Sequence, residues 1–97
     1  MIIRIVKMTF IPEKVEEFLG VFHASKQFIR NMPGCNHLEL LNDIKTSNIF
    51  FTYSYWDSEN DLNNYRDSEL FKEVWSKTKV LFNDKPEAWS VEQQVKL

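Results

Sequence analysis

Three side chains in this chain have the chemistry to move a proton or hold developing charge near a ring: His37, Glu39 and Tyr65. Histidine titrates near neutrality, so His37 is a candidate general base. Glu39 lies two residues on, which on a strand is the same face at a backbone spacing of about 7 Å. There it can orient the imidazole or tune its charge. Tyr65 is a candidate hydrogen-bond donor to a ligand oxygen, and Tyr53 and Tyr55 offer the same group. Around them the chain is rich in rings, with three Trp and eight Phe. Trp56, Phe71, Trp75 and Trp89, with Tyr65, are candidate walls of an aromatic, water-poor cavity, with Glu39 at its edge as a substrate contact. Phe71 and Trp75 are four apart and share a helix face. Base, donor and dry aromatic walls are what a flat, electron-rich substrate would need to ionise and react.

Each of these residues also has a plainer reading. His37 and Glu39 can be a polar pair at a dimer interface or on an edge strand. Aromatic residues at helical spacing are ordinary core. His23, near Lys26 beside a helical apolar stripe, reads as a solvated helix residue. Cys35 follows a Pro-Gly turn with no basic cluster to activate it, and reads as a small buried side chain. Arg4 interrupts an apolar strand face and reads as half of an ion pair with Glu39 or Glu92 across the sheet, or as a contact for an anionic ligand.

Composition excludes several classes. A formal charge of −2 and no basic run argue against nucleic acid as partner. Only Gly20 and Gly34 are available, far apart, so there is no phosphate-cradling loop. The two His, one Cys and scattered carboxylates lack the spacing of a zinc or di-iron site, so no metal site is expected. Cys35 alone cannot close an intrachain disulfide. The Met-Ile-Ile-Arg-Ile-Val-Lys start is too short and charged for a signal peptide, and no run approaches the roughly 20 apolar residues that span a bilayer. A cytoplasmic, non-membrane protein is the expectation.

The positioning elements follow from periodicity. Residues 2–10 read as a strand with Ile2, Val6, Met8 and Phe10 on one face. Pro12 opens a helix with Glu13, Glu16 and Glu17 at its positive end. Val15, Phe18, Leu19, Phe22, Phe28 and Ile29 carry its apolar stripe to about Met32, where Pro33-Gly34 stops it. A hairpin follows: Cys35 to Asn42, a polar turn, then Ile49 to Trp56. In the first arm Cys35, His37, Glu39 and Leu41 share a face. In the second, Ile49, Phe51, Tyr53 and Tyr55 oppose Phe50, Thr52, Ser54 and Trp56. Ser58 caps a short helix to about Arg66, and Asp67 or Ser68 caps another bearing Leu70, Phe71, Val74, Trp75, Thr78, Leu81 and Phe82. Ala88 to Lys96 is the last strand, with Trp89, Val91 and Val95 on one face.

Strand, helix, strand, strand, helix pair, strand is an α+β, ferredoxin-like split βαβ order, one domain over residues 1–97. Right-handed crossovers put the helices on one side of a four-stranded antiparallel sheet. The Ile49–Trp56 strand carries large rings on both faces, so the helix-free side is too apolar for water. Two such sheets packing face to face, a homodimeric α/β barrel, would cover it.

The run Pro33-Gly34-Cys35, then Phe50-Phe51 through Tyr55-Trp56-Asp57-Ser58, then Tyr65-Arg66-Asp67-Ser68-Glu69-Leu70-Phe71, resembles the antibiotic biosynthesis monooxygenase family over nearly the whole chain. The resemblance implies a dimeric α+β barrel and a pocket for flat aromatic molecules between each sheet and its helices. Some members of that family oxidise quinols or other electron-rich aromatic small molecules with O2 and no cofactor; on that reading His37 is the base or orienter here and Tyr65 the hydrogen-bond donor. The alternative is a non-catalytic barrel that binds a hydrophobic small molecule or acts in stress response. Haem degradation is the third reading. The places that the haem-degrading branch fills with Asn, Trp and His hold Val6, Tyr65 and Trp75 here, which leaves no axial iron ligand. Where quinol-oxidising relatives often carry His, this chain has Tyr65 and Leu70.

Overall fold

Period-two alternation along a central strand divides the molecule into a helix-covered half and an open half. A computed structural model describes residues 1–97. Its strands are β1 (Ile2–Thr9), β2 (Cys35–Asn42), β3 (Ile49–Trp56) and β4 (Glu87–Glu92). Its helices are α1 (Val15–Arg30), α2 (Glu59–Arg66) and α3 (Glu69–Lys79), with a 3-10 turn at Pro12–Lys14 leading into α1. The sheet order is β2-β3-β1-β4, and every neighbouring pair is antiparallel. This is the expected ferredoxin-like α+β fold.

The register assigns the faces. Met8 lies opposite Phe50, and both pack with Phe18 and Phe22 of α1, Phe10 and Leu81. Trp56 and Cys35 pack with Leu62 of α2. Phe10 is the centre of the larger cluster and is wholly buried. Its ring stacks on Phe18 at 4.1 Å and meets Phe50 edge-on at 6.0 Å. Burial of such a side chain contributes about 1.5–3 kcal/mol. By alternation, Ile3, Ile5, Phe51, Tyr53, Tyr55, His37, Glu39, Trp89 and Val91 point the other way.

The caps form as their residue types dictate. Ser58 Oγ accepts from Asp61 N at 3.1 Å, and Ser68 Oγ accepts from Phe71 N at 3.1 Å. Each satisfies an amide that a helix start would otherwise leave open, worth about 1 kcal/mol. Asp67 instead closes α2 at its C-terminus.

The structure corrects three details. Cys35 does not share a face with His37. A bulge between them places Cys35 opposite Trp56 on the helix side and His37 opposite Tyr55 on the open side. The last strand stops at Glu92 rather than Lys96, because Glu92 already pairs with Ile2, the first residue of β1. Beyond it no strand remains to bond. The first helix becomes α-helical only at Val15, after the turn that Pro12 opens.

Candidate functional site

A cavity of ≈ 330 Å³ lies between the helix-side face of the sheet and the helices, within the size range of small-ligand sites. Val6, Met8, Thr52 and Ser54 form its floor, and Phe22, Tyr65, Phe71 and Trp75 are among its walls. The walls are a row of rings. Trp56, at the end of β3, stacks on Tyr65 from the last turn of α2 at 5.0 Å and 19°. Tyr65 meets Phe71 edge-on at 5.3 Å, and Phe71 lies parallel to Trp75 at 5.8 Å and 10°. The four-residue spacing of Phe71 and Trp75 on α3 produces that last pair. Stacked and edge-on rings of this kind make a flat, apolar wall.

Few polar groups reach the cavity. Trp56 Nε1 donates to Ser54 Oγ at 2.9 Å, and Thr78 Oγ1 donates to the Val74 carbonyl at 2.7 Å. These groups are already engaged. Tyr65 also lines the cavity; its hydroxyl, like that of Thr52, takes part in none of the side-chain hydrogen bonds and is not sealed off as a buried unpartnered atom. Burial, with a smaller contribution from Cys35, pushes the Tyr65 phenol above its ordinary value. It is therefore a neutral donor across the physiological range.

That shift has a sign. The folded state holds the Tyr65 proton more tightly than the unfolded chain does, so this contribution to stability is fully present below the unfolded tyrosine pKa of about 10. It is lost as pH rises from there through the folded value. Urea midpoints measured from about pH 8 to pH 11 should fall more steeply in the native chain than in Tyr65→Phe. Equal alkaline losses would show that Tyr65 is not the group responsible.

Arg4 and Arg66 are also among the residues that line the cavity. Arg4 Nη1 donates to Ser90 Oγ at 3.0 Å. Burial first, and the charge of Arg66 second, hold Arg4 below its ordinary value. The ion pairs of the molecule are Lys14–Glu17, Lys72–Glu69 and Lys77–Glu73, and the His37 imidazole is in contact with the Glu39 carboxylate. The expected pairing of Arg4 with Glu39 or Glu92 is thus corrected: Glu39 is on the other face of the sheet, and Glu92 makes no ion pair.

Of the residues the sequence proposes, Trp56, Tyr65, Phe71 and Trp75 come together around the cavity. His37, Glu39 and Trp89 do not. Trp89 lies opposite Ile5, and His37 opposite Tyr55, on the open face. The imidazole does pair with Glu39 and packs 5.0 Å from the Tyr55 ring. The whole thickness of the sheet separates that pair from Tyr65, so the proposed base and donor cannot act on one substrate atom within a protomer. The cavity lining contains no His, Asp or Glu. Burial pushes the Cys35 thiol up, which suits a packed rather than a reactive residue. No three His, Cys, Asp or Glu side chains converge as a metal site would require.

Arg66 is the lining residue that sequence reasoning missed. A cation in the last turn of a helix already has a reason to be there, the negative end of the helix dipole. Its place next to Tyr65 is the only sequence signal of a further role.

The profile of the antibiotic biosynthesis monooxygenase family matches residues 1–76. Similar solved structures include a conserved protein from Methanosarcina mazei Go1, with a TM-score of 0.90 and 22% identity, covering 97% of this chain and 94% of that one. A protein described as an antibiotic biosynthesis monooxygenase has a TM-score of 0.90 at 17% identity, over 96% and 98% of the two chains. A protein from Mycobacterium tuberculosis has a TM-score of 0.90 at 13% identity, over 98% and 96%. At these identities the likeness is one of fold. No curated protein matches the chain by sequence.

Proposed function

We propose, for a chain that belongs to the antibiotic biosynthesis monooxygenase family, that the cavity binds a quinol or similar electron-rich phenol and supports its oxidation by O2. The observation that carries this reading is the row of rings from Trp56 to Trp75 with the unpartnered Tyr65 hydroxyl beside it. Phe71 and Trp75 hold the substrate plane, and Tyr65 donates to its oxygen.

The reaction balances without an added reductant. Loss of a phenolic proton gives an anion that passes one electron to O2. The resulting superoxide and ring radical join through a new C–O bond. The hydroperoxide then loses water, leaving one oxygen atom on the ring as a carbonyl. The quinol supplies all four electrons, and one O2 gives hydroxyquinone and water. No carboxylate or imidazole lines the cavity, so the first proton leaves to water. A neutral Tyr65 stabilises the oxygen on which charge remains.

Two copies are proposed to close their open sheet faces on each other, with His37 and Glu39 in that interface. The single unpaired thiol fits a reducing, cytoplasmic setting.

Oxygen uptake with a panel of hydroquinones tests the reaction. Uptake is expected, with Tyr65→Phe reducing kcat/KM about 10- to 100-fold, the loss of one hydrogen bond to a charged oxygen. Ligand binding without uptake across the panel would instead favour the non-catalytic binding reading.

A further inference from the structure

We propose that Arg4 and Arg66 form an anion seat, so that the cavity takes a planar apolar ligand bearing one acidic group, a carboxylate or an ionised phenol. The inference rests on the cavity being the ligand site and adds the chemical class that the site selects.

Two arginines are among the lining residues of a cavity whose other contacts are mostly rings and aliphatic side chains, and their charges are near enough to interact. Neither is in an ion pair, although the chain has carboxylates to spare and pairs several of them with lysines elsewhere. Arg4 has five N–H donors and one side-chain partner, the Ser90 hydroxyl. Arg66 has no side-chain partner of its own, and sits in the last turn of α2, where the helix dipole makes its charge tolerable. Arg4, at the second position along the helix-side face of β1, has no such compensation.

Two like charges close enough to repel each other are a cost in the empty site. An anion between them removes it. Low-dielectric aromatic walls strengthen that attraction compared with water. Guanidiniums suit the task because their planar fork meets a carboxylate or phenolate with two parallel donors. Tyr65 lines the same cavity and brings a neutral donor to it.

The seat also supplies what the cavity lacks for ionising a quinol. With no base in the lining, the phenolate must be favoured electrostatically, and two cations do this by lowering the phenol's own pKa.

Calorimetric titration with three naphthalenes of one shape tests this: 2-naphthoate, neutral 2-naphthalenemethanol and 2-naphthol. At neutral pH the carboxylate is expected to bind at least about tenfold tighter than the alcohol, the worth of a charge-assisted contact. Arg66→Gln and Arg4→Gln should each weaken the carboxylate about tenfold and leave the alcohol within about twofold. The exposed position of Arg66 makes that variant safe for folding. Naphthol absorbance separates the two anion sources. A bound naphthol that ionises at lower pH than in water shows that the seat accepts a phenolate, and an unchanged ionisation restricts it to carboxylates. Equal affinity for acid and alcohol, or Arg variants that leave the preference intact, would overturn the anion seat alone. If none of the three binds, both the seat and the cavity as a ligand site fall.

Discussion

Gly34→Ala is expected to destabilise the fold by roughly 2–5 kcal/mol, combining left-handed backbone strain with overpacking. Gly34 sits in the turn between α1 and β2 at a φ of 85°, which only glycine adopts cheaply. A Cβ added there would stand 2.5 Å from both Cβ and Cγ of Asp61. Asp61 cannot swing aside. Its Cβ is fixed to the backbone of α2, its amide donates to Ser58 Oγ, and its carboxylate accepts from the same hydroxyl at 3.0 Å. Relief would require the start of α2 to move, and α2 carries Leu62 into the smaller core cluster and Tyr65 into the cavity. The Gly34 carbonyl also accepts from Asp57 N at 2.8 Å, so the turn is tied to the end of β3 as well. A melting temperature lower by at least about 10 °C is expected for a domain of this size. Gly20→Ala is the control: a Cβ there meets nothing within 4 Å, and replacing a helical glycine gains up to about 1 kcal/mol. If Gly34→Ala melts within a few degrees of the native chain, the turn is not the rigid hinge described.

The same turn shows where a sequence can and cannot be read. Pro33-Gly34 was legible as a helix stop, because both residues act on their own backbone. The hairpin arms, Cys35–Asn42 and Ile49–Trp56, were legible for the same local reason: β-forming residues bounded by polar turns. Ser58 and Ser68 announced their helices three residues ahead of the amides they cap. What escaped depended on partners distant in the chain. The bulge that turns Cys35 toward Trp56 exists only in the β2–β3 pairing. The end of β4 is set by where β1 begins. Alternation correctly grouped His37 with Glu39, but a strand does not record which of its faces a helix will cover. That ambiguity put His37, Glu39 and Trp89 in one imagined site with Tyr65, when the sheet holds them apart. Trp56, Phe71 and Trp75 do line one cavity, because helix spacing and the strand end leave them little choice.

Ile5→Lys is expected to convert the proposed two-chain assembly into a folded single chain. Ile5 is in the middle of the open face, opposite Tyr53 on β3 and Trp89 on β4. Around it the face is largely apolar, and although Ile3 is already buried, Leu41, Trp89 and Val91 remain 41%, 44% and 39% exposed. Phe51, Tyr53 and Tyr55 fill the rest of β3, and the Tyr53 and Tyr55 rings touch edge-on at 5.5 Å. A sheet face of this kind meets the area of a stable interface, about 800 Å² per partner, only if a similarly flat apolar surface covers it. In the proposed dimer, a second copy is that surface. A two-fold interface is self-complementary, so one lysine near its centre becomes two, facing each other away from water. Desolvating unpaired ammoniums costs several kcal/mol per ion, and about 4 kcal/mol already weakens association about 10³-fold. The protomer should survive, because Ile5 points away from both core clusters. Sedimentation equilibrium at micromolar concentration, with circular dichroism to check the fold, reads the outcome. A native chain that stays single at high concentration would remove the barrel altogether. A variant that stays paired would move the interface off this face, and would take His37 and Glu39 out of it.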